Sequence, residues 1–253
     1  MDAGQIDHLR KVYNEEHSSE KEIQQGAPKK VWNEILKRLH SKCKDKASQC
    51  IVSSLLERPK APKTWKSNPS EWLSSVEIDQ LEKNLMKLFP NYMYLGTIPI
   101  DFDKKSSTGT CLVDALCSIR ITDLYKKGKT QIGIVFNTDV STGPGQHWIA
   151  LFADIRPEVE YPHITYFDSY AKRPEPEIQR LMQRWKAEWD ATNLHKKKIK
   201  LTYNKTRHQF EDSECGMYSI LFHIYSLSGA DMNKRIPDRV VREIIRSVLF
   251  NNE

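Results

Sequence analysis

The sequence predicts an α+β protein: a small mixed sheet with a central buried helix, preceded by a helical N-terminal arm. Three observations lead there. The stretch GMYSILFHIYSL, residues 216–227, is apolar on nearly every side and too long for a strand between turns, the pattern of a helix enclosed in a core. Four short β-branched or aromatic runs, Tyr92–Leu95, Ile132–Phe136, His147–Ala153 and Ile164–Phe167, are bounded by turn residues and read as strands of a mostly antiparallel or mixed sheet. Amphipathic helical stripes stand before and after these strands, which puts helices at both ends of the sheet.

In chain order, Val31, Trp32, Ile35, Leu36 and Leu39 recur at helical spacing, and Ile51, Val52, Leu55 and Leu56 repeat the pattern. Pro59, Pro62 and Pro69 then interrupt a basic, polar stretch that cannot continue a helix. The expected organisation is a helical arm over 1–60, a linker over 61–70 and a main domain over 71–253. Ser74 and Glu77 have capping-box spacing, and Ile78, Leu81, Leu85 and Leu88 continue one helical face until Pro90. After Pro174 and Pro176, Ile178, Leu181, Met182, Trp185 and Trp189 form a helical stripe that reads as core, followed by a short strand around Ile199–Tyr203. A last helix after Pro237 carries Val240, Val241, Ile244, Ile245, Val248 and Leu249.

Composition narrows the class. At 253 residues the chain can build a self-sufficient core. No apolar run approaches the roughly 20 residues that span a bilayer, so no membrane role is expected. The N-terminal residues MDAGQIDHLRKVYNEEH have neither the apolar centre of a signal peptide nor the acid-free composition of a transit peptide, which predicts the cytosol, the nucleus or a particle assembled there. The five cysteines, Cys43, Cys50, Cys111, Cys117 and Cys215, show no Cys-x-x-Cys pair and no zinc-ligand spacing. Neither a disulfide scaffold nor a metal site is expected, and no cofactor is implied. The net charge of +6 is uneven, and Lys196, Lys197, Lys198 and Lys200 form a cluster that reads first as a solvated edge and second as a site for a DNA or peptide activator.

Four side chains have the chemistry of a thiol hydrolase. Cys215 would sit in the first turn of the apolar helix, where unpaired backbone N–H groups favour a thiolate, and Gly216 after it leaves room for a substrate backbone. His147 opens the apolar run HWIALFAD after a loop of small residues, a suitable place for a general base. Asp168 ends the next strand, ITYFD, and a carboxylate there could fix the imidazole tautomer. Asp154 competes for that role, but its odd offset from His147 turns it to the opposite face. Gln209 lies six positions ahead of Cys215, so a loop could fold its amide over the helix start as an oxyanion donor beside the Cys215 N–H.

The order His147-Trp148, Asp168, Gln209, then Cys215-Gly216, together with the stretches NTDVSTGPGQHWIALFADIR and TRHQFEDSECGMYS, resembles the ubiquitin-like-protein protease superfamily, which includes SUMO proteases and adenoviral protease. The likeness is nearest to the polyprotein-processing proteases of African swine fever virus and other large DNA viruses. It implies a cysteine endopeptidase cutting after Gly-Gly or similarly small residues, with Trp148 shaping a narrow tunnel. It also implies a viral structural polyprotein as substrate, or alternatively a SUMO- or ubiquitin-like conjugate, and a place in the host cytoplasm and the virion. Cys111, in TGTCLVDALC, faintly resembles the nucleophile segment of ovarian-tumour-type deubiquitinases, but those place Cys well before His; Cys111 and Cys117 read as core. A non-catalytic module gripping a ubiquitin-like tail, and a nucleic-acid-binding protein, are the readings from other classes.

Overall fold

A computed structural model describes residues 3–39, 48–194 and 196–251. Cys43 and the side chain of Ile51 lie outside the described residues. The first three helices, α1 (Ala3–Glu16), α2 (Pro28–Arg38) and α3 (Ser48–Leu55), precede a short 3₁₀ turn at Lys63–Lys66. Helix α4 (Ser75–Leu88) starts on the expected capping box: the Ser74 hydroxyl accepts from Val76 N, and Glu77 reaches back to Ser74 N at 2.8 Å. That exchange satisfies backbone donors at the helix start, which have no partner within the helix.

Five strands follow, β1 (Tyr92–Pro99), β2 (Gln131–Asn137), β3 (Trp148–Asp154), β4 (His163–Phe167) and β5 (Lys200–Tyr203), in one sheet whose spatial order is the chain order. The sheet is mixed. β1 pairs with β2, and β4 with β5, in parallel, whereas the two pairings of β3 are antiparallel. Each parallel pair needs a crossover. Helices α5 (Asp114–Ser118) and α6 (Ile121–Lys126) supply the first, and α7 (Pro176–Asp190) the second. Leu116, Ile121 and Leu124 share a core with Ile178, Trp185 and Trp189, so these crossovers cover one face of the sheet. Alternation along β3 then sorts its side chains: Ile149, Leu151 and Ala153 face that core, while Trp148, Ala150 and Phe152 face the other.

The second core holds α8 (Cys215–Ser228), which packs on β3 and against α3 and α4. Leu9, Ile35, Val52 and Leu55 belong to the same cluster as Met217 and Ile220, so the first three helices and α8 share one interior. A polar pin crosses it. His223 on α8 bonds Glu82 of α4 at 2.7 Å through Nδ1 and the Leu151 carbonyl of β3 at 3.1 Å through Nε2, and Tyr92 O–H donates to Glu82 at 2.7 Å. All three side chains are fully buried.

The C-terminal segment departs from a plain amphipathic helix. Between α9 (Asp238–Val240) and α10 (Arg246–Leu249) lie five residues of π-helix, Val241–Ile245. The wider turn shifts the inward face by one position. Val241, Arg246 and Leu249 turn in, while Ile244 and Val248 of the expected stripe are exposed. The cysteine expectation also needs correction. Cys111 and Cys117 are joined as a disulfide and are only partly buried. Their six-residue separation closes over the loop and short helix that follow β1, a proximity that spacing alone did not reveal. Among the described residues, no helix is long and apolar enough to cross a membrane.

Candidate active site

The site is built where strand ends meet the start of α8. Cys215 is the first residue of that helix, buried, and is the free thiol among the described residues. Twelve of the helix's residues, Cys215–Ile224, Leu227 and Ser228, are buried, so the thiol's position is fixed by packing on every side. Tyr218 N donates to the Glu214 carbonyl at 2.9 Å, and Ser219 O–H donates to the Cys215 carbonyl at 3.0 Å.

His147 stands one residue ahead of β3 and Asp168 one residue past β4. Antiparallel pairing of the two strands, with Ala150 opposite Phe167, brings these ends together. His147 Nε2 lies 2.7 Å from Asp168 Oδ1. The Cys215 sulfur lies close enough to act on the imidazole electrostatically, and with Nε2 engaged by the carboxylate, Nδ1 is the nitrogen left for a thiol. Burial pulls the His147 pKa down, but the bond to Asp168, the nearby Cys215 sulfur and the charges of both outweigh it and hold the imidazolium up to about 9.

Asp168 is itself secured. Its side chain is almost wholly buried, and Oδ1 accepts from Tyr170 N at 2.9 Å and Oδ2 from Lys172 N at 3.2 Å. These bonds require a tight turn, in which Ala171 takes a φ of 60°, the left-handed conformation that L residues adopt at a cost. Asn204 braces the same residue from β5's end, accepting from Asp168 N at 2.9 Å and donating to its carbonyl at 2.8 Å. The competitor Asp154 is occupied elsewhere, clasped by Arg156 at 2.7 and 2.9 Å.

Gln209 is fully buried and its amide orientation is set: Oε1 accepts from Ser169 O–H at 2.6 Å, and Nε2 donates to the Glu211 carbonyl at 2.7 Å. Backbone bonds from His208 N and Gln209 N to the Ser169 carbonyl, 2.8 and 3.0 Å, join the loop before Cys215 to the Asp168 turn. Ser169, Asn204 and Tyr170 carry no motif of their own; their hydrogen bonds with Gln209, Asp168 and Glu211 span 36 or more residues, or close a turn whose shape the sequence does not announce.

Gly216 has a structural reason beyond the expected one. A Cβ there would lie 3.1 Å from Leu73 Cβ, 3.2 Å from Trp148 Cδ1 and 3.4 Å from Ile78 Cδ1, so the missing side chain lets α8 seat against Trp148 and the segment before α4. Trp148 is locked by its indole N–H to the Leu73 carbonyl at 2.8 Å. It walls a cleft of about 550 Å³, which also takes in Trp72, Ile98, Val140 and Pro144. Trp72 and Val140 are 44% and 45% exposed, so the cleft offers apolar surface next to the start of α8. Another groove, about 410 Å³, lies by Gly229 and Met232 at the far end of α8, a helix length from Cys215. Among the lysines, Lys197 and Lys200 sit over the Tyr161 ring at 4.0 and 3.2 Å, with Lys196 and Lys198 exposed.

No family model matches the chain. It is 32% identical over 194 residues to R355, a candidate thiol protease of Acanthamoeba polyphaga mimivirus, covering 74% of this chain and 59% of that protein. It is 33% identical over 118 residues to the protein named SUMO-1 cysteine protease S273R of African swine fever virus (isolate Pig/Kenya/KEN-50/1950), covering 47% of this chain and 42% of that one. The matches thus span less than two thirds of either relative. The crystal structure of the African swine fever virus pS273R protease superposes with a TM-score of 0.63 at 20% identity, over 87% of this chain and 90% of that one. By sequence the chain is a homologue of viral cysteine proteases, and by structure it has the fold of the African swine fever virus pS273R protease.

Proposed function

We propose that the chain is a cysteine endopeptidase in which Cys215 is the nucleophile, His147 the base, Asp168 its orienting partner and Gln209 an oxyanion donor. The observation that carries this reading is the His147–Asp168 hydrogen bond at 2.7 Å, whose imidazole is acted on by a thiol at the first turn of a buried helix. His147 receives the Cys215 proton, and Asp168 stabilises the imidazolium that results. The sulfur attacks the scissile carbonyl carbon; the C–O π electrons move to oxygen, where Gln209 Nε2–H and the Cys215 N–H hold the negative charge. Collapse breaks the C–N bond as His147 protonates the leaving amine. Water, deprotonated by the same imidazole, then hydrolyses the thioester and regenerates the thiol.

The substrate side of the proposal is cleavage after small residues of the Gly-Gly kind. The packed Trp148 beside Gly216 leaves little width at the start of α8, and the apolar cleft beyond it can take the segment leading to the bond. The substrate proposed is a viral structural polyprotein, processed in the cytoplasm of an infected cell and in the virion. A SUMO- or ubiquitin-like conjugate is the second reading, favoured by the name of the swine fever virus relative. The division into an arm (1–60), a linker (61–70) and a catalytic unit (71–253) belongs to the same proposal, with the arm serving as a wall of the α8 core as well as a platform for a partner. A peptide ending in a Gly-Gly vinyl warhead should label wild-type protein at Cys215 and leave Cys215→Ala unlabelled. Absence of an adduct under reducing conditions would favour a non-catalytic module, and labelling at Cys111 would overturn the assignment. Cleavage of SUMO and ubiquitin fusions beside a peptide library separates the two substrate readings.

A further inference from the structure

One side chain touches both halves of the proposed machinery. The Tyr170 ring lies against the His147 imidazole, with centroids 4.8 Å apart and planes 32° apart. Its backbone N–H donates to Asp168 Oδ1, the oxygen that also bonds His147. Its hydroxyl donates to the Glu211 carbonyl at 3.0 Å, and that same carbonyl accepts the Gln209 amide at 2.7 Å. Tyr170 therefore reaches the base by its ring, the orienting carboxylate by its main chain, and the oxyanion amide through a shared acceptor. The Arg207 guanidinium stands 5.5 Å from the ring centroid and bonds the Gln209 carbonyl at 2.9 Å, so the opposite side of Gln209 is tied to the same aromatic.

We infer that Tyr170 is a positioning residue for the oxyanion donor: its hydroxyl fixes the Glu211 carbonyl, which in turn fixes the rotamer of Gln209, while its ring holds the imidazole plane. An amide with one hydrogen tied down presents the other in a single direction, which is what a donor to a developing oxyanion needs. A carbonyl held by two donors is less free to turn away than one held by Gln209 alone. Burial and the negative charges of Asp212, Cys215 and Asp168 push the phenol up to about 12, so it remains a neutral O–H donor through the neutral range. The strained φ of Ala171 belongs to the same device, because the turn it closes is the one that swings Tyr170 back over His147.

The inference rests on the peptidase reading, and the two fail in different ways. Tyr170→Phe keeps the ring and loses the hydroxyl. It should lower kcat on a Gly-Gly peptide substrate, and the affinity for the matching peptide aldehyde, by roughly tenfold, a fraction of what losing a whole oxyanion donor costs. KM and the rate at which iodoacetamide alkylates Cys215 should stay within about twofold, because alkylation develops no oxyanion. In a Gln209→Ala background the same change should cost less than about twofold in aldehyde affinity, since the amide it positions is gone. Tyr170→Ala, which also removes the ring, should slow alkylation as well. The inference is overturned if Tyr170→Phe binds the aldehyde as wild type does, if it slows alkylation as much as turnover, or if its cost is the same with and without Gln209. A wild-type protein that turns over no peptide and whose Cys215 alkylates no faster than a free thiol would instead sink the peptidase reading itself.

Discussion

Two of the long helices packed on the sheet, α7 and α8, are built on different plans. Helix α7 is amphipathic: Ile178, Leu181, Met182, Trp185 and Trp189 are buried, and Arg180 on the other side is mostly exposed in its pair with Asp103. Helix α8 is apolar nearly all round and enclosed by the sheet, α3 and α4. A one-sided helix is held by a single surface and can shift along it at modest cost. A helix enclosed on all sides cannot move without disturbing every neighbour, because interiors are close-packed. The Cys215 thiol, the proposed nucleophile, sits at the start of the enclosed helix, and the groups proposed to serve it come from strand ends and loops pinned to that start. Stability and chemistry are thus separable between the two helices.

The largest expected effects break the comparison outright. Cys215→Ala should abolish turnover, by on the order of 10⁴-fold or more, while leaving the melting temperature near wild type. Trp185→Ala on α7 should do the reverse. It removes a fully buried indole at a cost of about 3–5 kcal/mol, yet at a temperature where the variant is folded its kcat should be little changed. Denaturant melts and single-turnover kinetics on both variants check this, and a Trp185→Ala enzyme that is stable but inactive would show that α7 is coupled to the site.

Gly216→Ala sharpens the contrast with a smaller change. One methyl group pressed to 3.1 Å from Leu73 and 3.2 Å from Trp148 should cost about 1–3 kcal/mol, and because the strain falls at the first turn of α8, activity should fall with stability. Melting and peptide turnover measured together test it; wild-type activity in a destabilised variant would show that the helix start relaxes without moving the thiol.

The smallest effect concerns the imidazole. Held to about 9, above the ordinary histidine value, His147 contributes stability that is fully present below about 6.5 and is lost as pH rises through about 9. Activity that depends on the imidazolium should fall over the same alkaline range. Asp168→Asn keeps an acceptor but removes the charge, so the alkaline limb should move to lower pH. A pH–rate profile and a pH titration of stability should show the two limbs moving together, and an unmoved limb would assign it to another group.

The contact chain was unequally legible in the sequence. His147 and Asp168 could be placed near each other because strand ends separated by a short proline-containing return must pair, and the observed register does bring them together. The six-residue reach from Gln209 to Cys215 was visible, but the bonds that orient the Gln209 amide come from Ser169, forty positions upstream, and from a main-chain carbonyl with no side-chain signature. The C-terminal stripe misled for a related reason. A single wide π turn shifts the period, and Arg246, anchored to the Pro69 and Glu71 carbonyls, takes an inward place that periodicity assigns to an apolar residue.

What the sequence determined by itself was whatever depends on local pattern. A long apolar run without turn residues marks an enclosed helix, a capping box starts α4, and short β-branched or aromatic runs bounded by turns build the sheet. Tertiary structure alone decided what depends on distant groups meeting. It joined Cys111 to Cys117, set the side chain of Trp148 into the space that Gly216 leaves, and folded Tyr170 between His147 and the loop that precedes Cys215. Periodicity reports which face of an element is buried, and only packing fixes which particular atoms share a hydrogen bond there.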